Sequence, residues 1–256
     1  MSPELAAAMT SARDTPAATA LRITPPVFEI GLKGYLWGDA AVRLAIEADQ
    51  LAAELGVSII FDPQAVDLPA VAAATSRLLV FAQHMDSVEP GRGVGAVLAE
   101  AVRDAGAVGT LLNHSEKPIA RDDLARVIER ARAVGLSTLI FADSPAEAAE
   151  FARLGPDIVL AEPPALIAGG VSAGNVMAGF VAQAVAAVKA VNPRILVMSG
   201  AGVNGPEDVE EMMRLGLDGT GSSSGILRAA DPVAMMRAML EATARAWSDL
   251  HPHPMR

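Results

Sequence analysis

The chain contains no cysteine. Disulfides and thiolate nucleophiles are therefore excluded, and only His, Asp and Glu side chains remain to hold a metal ion. Positive charge is also scarce, with 20 Lys and Arg against 30 Asp and Glu, a formal net charge of -10 and a pI near 4.9. Nucleic acids and anionic membranes reward clustered Lys and Arg, so neither is an expected partner. A small anionic metabolite is compatible with this balance, because one local positive site outweighs a diffuse negative surface. The first 24 residues, MSPELAAAMTSARDTPAATALRIT, hold no apolar run long enough for a signal-peptide core and read as a loosely held N-terminal arm. The most apolar stretch, AGNVMAGFVAQAVAAVKAV (173–191), is interrupted by Asn175, Gln183 and Lys189, and reads as a buried helix rather than a membrane span. A cytoplasmic protein is expected.

At 256 residues and 52% hydrophobic content the chain can bury a large core. Short β-branched runs alternate with longer helical patterns: VFEIGL (27–32), VSIIF (57–61), LLVFA (78–82), AVGTLL (107–112), LSTLIFA (136–142), DIVLA (157–161), RILVMS (194–199) and DGTGS (218–222). Between them apolar residues recur at helical spacing, as in Ala41, Leu44, Ala48, Leu51 and Leu55, or Leu124, Val127, Ile128, Ala131 and Val134. A glycine stands before several strands, in ELGVSII, AVGLSTLI, RLGPDIVL and RLGLDGTG, where it suits a helix C-cap. Consecutive βα units demand parallel strands with right-handed crossovers, and eight of them favour a closed (β/α)8 barrel over residues 25–256, with an open doubly wound sheet as the alternative.

Such a barrel carries its active site on the loops at the C-terminal ends of its strands. Strand one ends near Lys33, strand three at Gln83 and His84, strand four in Asn113, His114, Ser115 and Glu116, and strand six at Glu162. Glu162 closes an apolar strand, where partial desolvation raises its pKa and suits it to act as a general base; a capping or salt-bridged Glu is the plainer alternative. Strand seven ends in SGAGV and strand eight in GTGSSSG. Glycines let backbone N–H groups approach a ligand, and the loops after strands seven and eight are a frequent phosphate site in barrels. After Glu162, the segment PPALIAGGVSAG has rigid prolines at one end and a Gly-Gly pair near the other, which suits a hinged lid.

Taken together, LLNHSEK, AEPPALIAGG, SGAGV, GTGSSSG, VFAQHMD and the Lys-x-Tyr of GLKGY resemble the triosephosphate isomerase family, in particular its short archaeal-like branch, from about residue 27 to residue 240. The resemblance implies a cofactor-independent aldose-ketose isomerase of a small phosphorylated sugar, working through an enediolate and assembled as a dimer or tetramer. It casts Glu162 as the base that moves a proton between adjacent carbons and neutral His114 as the electrophile on the carbonyl, a division of labour for which this family is the standard illustration. Lys33 would supply positive charge beside the enediolate, with Glu116 as its partner and Asn113 and Ser115 as supports. Gly31, Gly169, Gly170, Gly200, Ala201, Gly202, Gly221, Ser222 and Ser223 would line the substrate and phosphate site, and no metal is implied.

The chain also departs from the family pattern. That pattern has Asn where this chain has Gly31, a loss of one polar contact worth about 1 to 3 kcal/mol and an opening of space beside the reacting carbons. EPGRGVGAVLAE lacks the Gly-x-x-Thr-Gly character of the strand-three loop, which in the family reaches into a neighbouring subunit, and the lid reads Ala-Gly-Gly where Gly-Thr-Gly is common. Two other readings therefore stand beside the isomerase. One is a metal-assisted epimerase or lyase with ligands drawn from His84, Asp86, His114 and Glu162, and the other is a phosphometabolite-binding barrel without catalysis.

Overall fold

A computed structural model describes residues 21–163 and 174–252. Eight strands run in chain order: β1 (Val27–Gly31), β2 (Ser58–Asp62), β3 (Leu79–Ala82), β4 (Gly109–Leu112), β5 (Ser137–Ala142), β6 (Ile158–Ala161), β7 (Leu196–Ser199) and β8 (Gly219–Ser222). Each falls within one of the eight runs read from the sequence or one residue beyond it. All pair in parallel in the order of the chain, and β1 pairs with β8 through Val27↔Gly219 to Ile30↔Ser222, so the sheet closes and the open-sheet alternative is set aside.

The helices outside the barrel are α1 (Gly38–Leu55), α2 (Leu68–Ala74), α3 (Ala99–Asp104), α4 (Arg121–Ala133), α5 (Pro145–Ala152), α6 (Gly174–Val191), α7 (Pro206–Arg214), the single turn α8 (Ser224–Leu227) and α9 (Pro232–Leu250). Their apolar stripes face the sheet. Ala41, Leu44, Ala48 and Leu51 are buried on α1, and Leu124, Val127, Ile128 and Ala131 on α4, in line with the spacing in the sequence. Residues 174–191 of the apolar stretch form α6, which buries Met177, Val181, Ala184 and Val188, while Lys189 at its end reaches Asp218 at 2.8 Å. Among the described residues no helix is long and apolar enough to cross a membrane. The pre-strand glycines Gly56, Gly135, Gly155 and Gly216 take φ of 67°, 81°, 74° and 86°, the left-handed turn that reverses the chain from helix to strand.

Strand side chains alternate between two cores. One set packs outward against the helices; the other fills the barrel with Val27, Ile60, Phe81, Leu111, Leu139, Phe141, Ile158, Leu160 and Met198. Continuing the inward parity by two residues leads from Ile60 to Asp62, from Leu160 to Glu162 and from Met198 to Gly200. An apolar plug thus closes the barrel beneath a polar rim at the C-terminal ends of the strands. At the opposite end Ile23 packs against this plug and the Thr24 carbonyl accepts a bond from the Ser58 hydroxyl at 2.6 Å, so the described end of the expected N-terminal arm is tied to the barrel.

Candidate active site

Lys33 stands two residues past the end of β1, with φ of 46°, a left-handed conformation that costs free energy for a residue with a Cβ. Its carbonyl accepts bonds from the Gln64 side chain and from Gln83 Nε2 at 3.0 Å, and Gln83 also binds the Asp62 carbonyl at 2.9 Å. Strands one, two and three are therefore laced together under the lysine. The ammonium lies 2.7 Å from Glu116 Oε1, a residue 83 positions away that the end of β4 carries across the barrel mouth.

The β4 loop is built on Asn113, which also takes a left-handed φ of 60°. Its Nδ2 donates to the Phe141 carbonyl at 3.1 Å and its Oδ1 accepts the Ile119 N–H at 3.0 Å, so one amide clasps the neighbouring strand and the far side of the loop. The Lys117 N–H closes the turn on the His114 carbonyl at 2.7 Å, and Ser115 sits exposed at its tip. His114 stacks edge-on against Phe141 with ring centroids 4.7 Å apart. The Glu116 N–H donates to His114 Nδ1 at 3.0 Å. A nitrogen that accepts a backbone N–H carries no proton, which assigns the proton of the neutral ring to Nε2. Burial, and then the charge of Lys33, lowers the pKa of His114, so the ring is neutral near pH 7.

Glu162 follows β6, partly buried, and its Oε1 accepts the Gly200 N–H at 3.2 Å. Burial is the main cause that raises its pKa to about 7, the nearby charge of Glu29 adds to it, and Lys33 and the Gly200 bond oppose it. A carboxylate poised there at neutral pH has the basicity of a general base. A neutral imidazole, a fixed ammonium and a tuned carboxylate thus rise from β4, β1 and β6 around one mouth. That combination can move a proton beside a carbonyl and stabilise the oxygen that becomes charged.

The triosephosphate isomerase family model matches residues 32–239. The chain belongs to the triosephosphate isomerase family. It is 38% identical over 217 residues to the triosephosphate isomerase of Methanoculleus marisnigri, covering 84% of this chain and 97% of that protein. The proteins of the same name from Methanothermobacter thermautotrophicus and Pyrobaculum calidifontis are 38% and 39% identical over 209 residues, each covering 81% of this chain and 91% of the relative.

With the family frame in place, the remaining site residues sort unevenly. Gly169 and Gly170, with the rest of the 164–173 segment expected to form the lid, lie outside the described residues. Gly200, Ala201 and Gly202 form the turn after β7, Gly202 with φ of 78°, and the Gly200 N–H is directed to Glu162. Gly221 and Ser222 end β8; the Ser222 hydroxyl is buried and donates to the Val203 carbonyl at 2.8 Å, so it braces the two phosphate-loop candidates against each other. Ser223 precedes the short α8 helix.

Gly31 departs from the sequence expectation, because no open space lies beside it. The point where a Cβ on Gly31 would stand is 2.5 Å from Glu29 Oε1 and 2.6 Å from Ser223 Oγ, and the corresponding point on Gly221 is 2.5 Å from Glu29 Oε2. The bare backbone of two glycines houses a carboxylate. Glu29 is 8% exposed and Asp62, at the end of β2, is 2% exposed. Burial raises the pKa of both carboxyls, and the charge of Glu29 adds to it for Asp62, which is pushed well above the usual carboxylate range. Asp62 therefore holds the proton and Glu29 the charge, which gives a donor role to the Asp62 Oδ2 that otherwise lacks a hydrogen-bond partner among the described residues. Sequence reasoning missed both residues. A charged residue at the inward parity of β1, two positions before Gly31 and four before Lys33, was the available signal.

The ligands suggested for a metal-assisted reaction are not gathered. His84 Nε2 lies 3.2 Å from Asp86 Oδ1, and Asp86 Oδ2 accepts the Val97 N–H at 2.7 Å, so this pair is used within the β3 loop. Among the described residues no three His, Asp or Glu side chains are grouped as a metal site would require.

Proposed function

We propose that the protein is a cofactor-independent isomerase that interconverts an aldose and a ketose phosphate of three or four carbons, with Glu162, His114 and Lys33 as its catalytic residues. The observation that carries this reading is the paired setting of base and electrophile, with Glu162 raised to about 7 while His114 is held neutral with its proton on Nε2. Glu162 takes a proton from the carbon beside the carbonyl and returns it to the neighbouring carbon. The His114 Nε2–H donates to the oxygen on which charge accumulates, and Lys33 stabilises the enediolate electrostatically.

The names of the relatives and the three strand ends brought together here favour a phosphosugar isomerase over a metal-assisted epimerase or a barrel that only binds. The loops after β7 and β8, with Gly202, Gly221, Ser222 and Ser223, would take the phosphate, together with Gly169 and Gly170. A homo-oligomer, dimer or tetramer, in the cytoplasm belongs to the same reading. The strand-three loop, exposed from residue 89 to 95 with a fully exposed Val94, is the surface that supports association. Steady-state kinetics with dihydroxyacetone phosphate and erythrulose phosphate test the proposal: the wild type turns over at least one of them and Glu162→Asp is slowed at least about a hundredfold on it. A wild type as inactive as Glu162→Asp on three-, four- and five-carbon phosphosugars would remove it.

A further inference from the structure

We propose that Glu29 is a specificity-determining residue of this site, whose carboxylate accepts a hydrogen bond from a substrate hydroxyl beside the reacting carbons and so selects a ketose phosphate extended by one hydroxymethyl group. The assignment rests on the isomerase reading above and adds to it a substrate class.

A buried charge at the middle of a barrel strand is costly, so the fold must supply compensation for it. Here that compensation is specific. Gly31 and Gly221 lack the Cβ atoms that would collide with the two carboxylate oxygens. Asp62, 2% exposed, lends a proton across β1 and β2, and the charge of Lys33 reaches Glu29 from above. None of these features is needed to close the sheet, because Val27, Ile60 and their neighbours already fill the plug below.

The carboxylate also lies where substrate would meet it. Its Oε1 shares with Ser223 Oγ the space over Gly31, between Lys33 on one side and the β8 loop on the other. Its charge is felt by Glu162, the proposed base. Its remaining 8% exposure belongs to a residue whose neighbours along the inward face of β1 are the apolar plug below and the mouth above. A carboxylate in such a place can only accept. It repels an enediolate oxygen or a phosphate and favours a hydroxyl, and Ser223 can accept or donate beside it. Dihydroxyacetone phosphate carries only hydrogens and one hydroxyl on its reacting carbon. Erythrulose 1-phosphate replaces one of those hydrogens with a hydroxymethyl group, which offers the additional donor; moving its carbonyl onto that carbon gives the isomeric ketose erythrulose 4-phosphate instead of an aldose. A site built to bind a hydroxyl discriminates strongly against the analogue without it, because the buried acceptor is then left unpaired.

The test compares kcat/KM for dihydroxyacetone phosphate and erythrulose phosphate in the wild type, Glu29→Leu and Glu29→Gln. The wild type is expected to favour the four-carbon substrate. Glu29→Leu should lower that preference by roughly tenfold to a hundredfold, because the four-carbon substrate loses its hydroxyl acceptor in addition to the change in Glu162 basicity that both substrates share. Glu29→Gln, which keeps the shape and a weaker acceptor, should fall between, and it decides the matter if the leucine variant does not fold. Equal losses on both substrates in the folded variants, or an unchanged ratio, would overturn the role of Glu29 while leaving the isomerase reading intact. A wild type inactive on both, and on five-carbon phosphosugars, would overturn the isomerase reading and the role of Glu29 with it.

Discussion

The substitution Glu162→Gln keeps the shape of the side chain and an acceptor for the Gly200 N–H, but it removes the ionisable group. With its pKa raised to about 7 from an ordinary 4.5, native Glu162 binds more protons than the unfolded chain between those two values. Stability therefore falls as pH rises through that window, and the cost is complete above pH 7. The full difference corresponds to about 3.4 kcal/mol, and water at the mouth, where the side chain is only partly buried, reduces it to about 2 kcal/mol. Glutamine escapes this cost. Thermal unfolding should place Glu162→Gln about 4 to 8 °C above the wild type at pH 8 and only a degree or two above it at pH 5. The same variant should lose roughly a hundredfold to ten-thousandfold in kcat, the outcome expected if the proposed base is also a group that destabilises the fold. A gap in Tm that is equal at pH 5 and pH 8, or a variant less stable at pH 8, would refute the reasoning that burial and the charge of Glu29 hold Glu162 near neutrality.

Further substitutions follow from the same geometry. His114→Gln should lower kcat by about a hundredfold or more, and 15N NMR of the wild type should show His114 titrating below a free imidazole with Nδ1 unprotonated; titration at or above 6.5 would contradict the neutral electrophile. Glu116→Gln breaks an exposed ion pair to Lys33, worth about 1 kcal/mol at most, so kcat/KM should fall by no more than roughly fivefold, whereas Lys33→Met should cost about a hundredfold or more. Gly31→Asn should destabilise by about 1 to 3 kcal/mol, because its Cβ meets Glu29 and Ser223; in a double-mutant cycle followed by Tm, Glu29→Val should relieve most of that cost, and additive effects would show that the two positions are not sterically coupled.

The barrel was legible because its signals are local. Eight apolar runs, two helical periodicities and four glycines before strands each state their structure within a few residues, and closure follows from counting the units. Lys33, His114 and Glu162 were legible for a related reason, since polar residues at the ends of apolar strands have few structural uses there. Gly31 was read in the wrong sense. A missing side chain looks like empty space along the sequence, while in the barrel the inward neighbour Glu29 and the β8 residue Ser223 take that space. Whether Asp62 or Glu29 holds their shared proton depends on burial and on charges from other strands, none of which adjacent letters record. The bond from the Ser222 hydroxyl to the Val203 carbonyl was likewise not legible, because its partner lies 19 residues away on another loop.

The central claim is that Glu162 moves a proton beside a substrate carbonyl, and proton exchange in deuterated water measures that step directly. Dihydroxyacetone phosphate and erythrulose phosphate, each followed by NMR with the wild type and with Glu162→Gln, should show deuterium entering the carbon next to the carbonyl only with the wild type, on at least one of the two. Incorporation at equal rates in both proteins, or none with the wild type on any three-, four- or five-carbon phosphosugar, would contradict it.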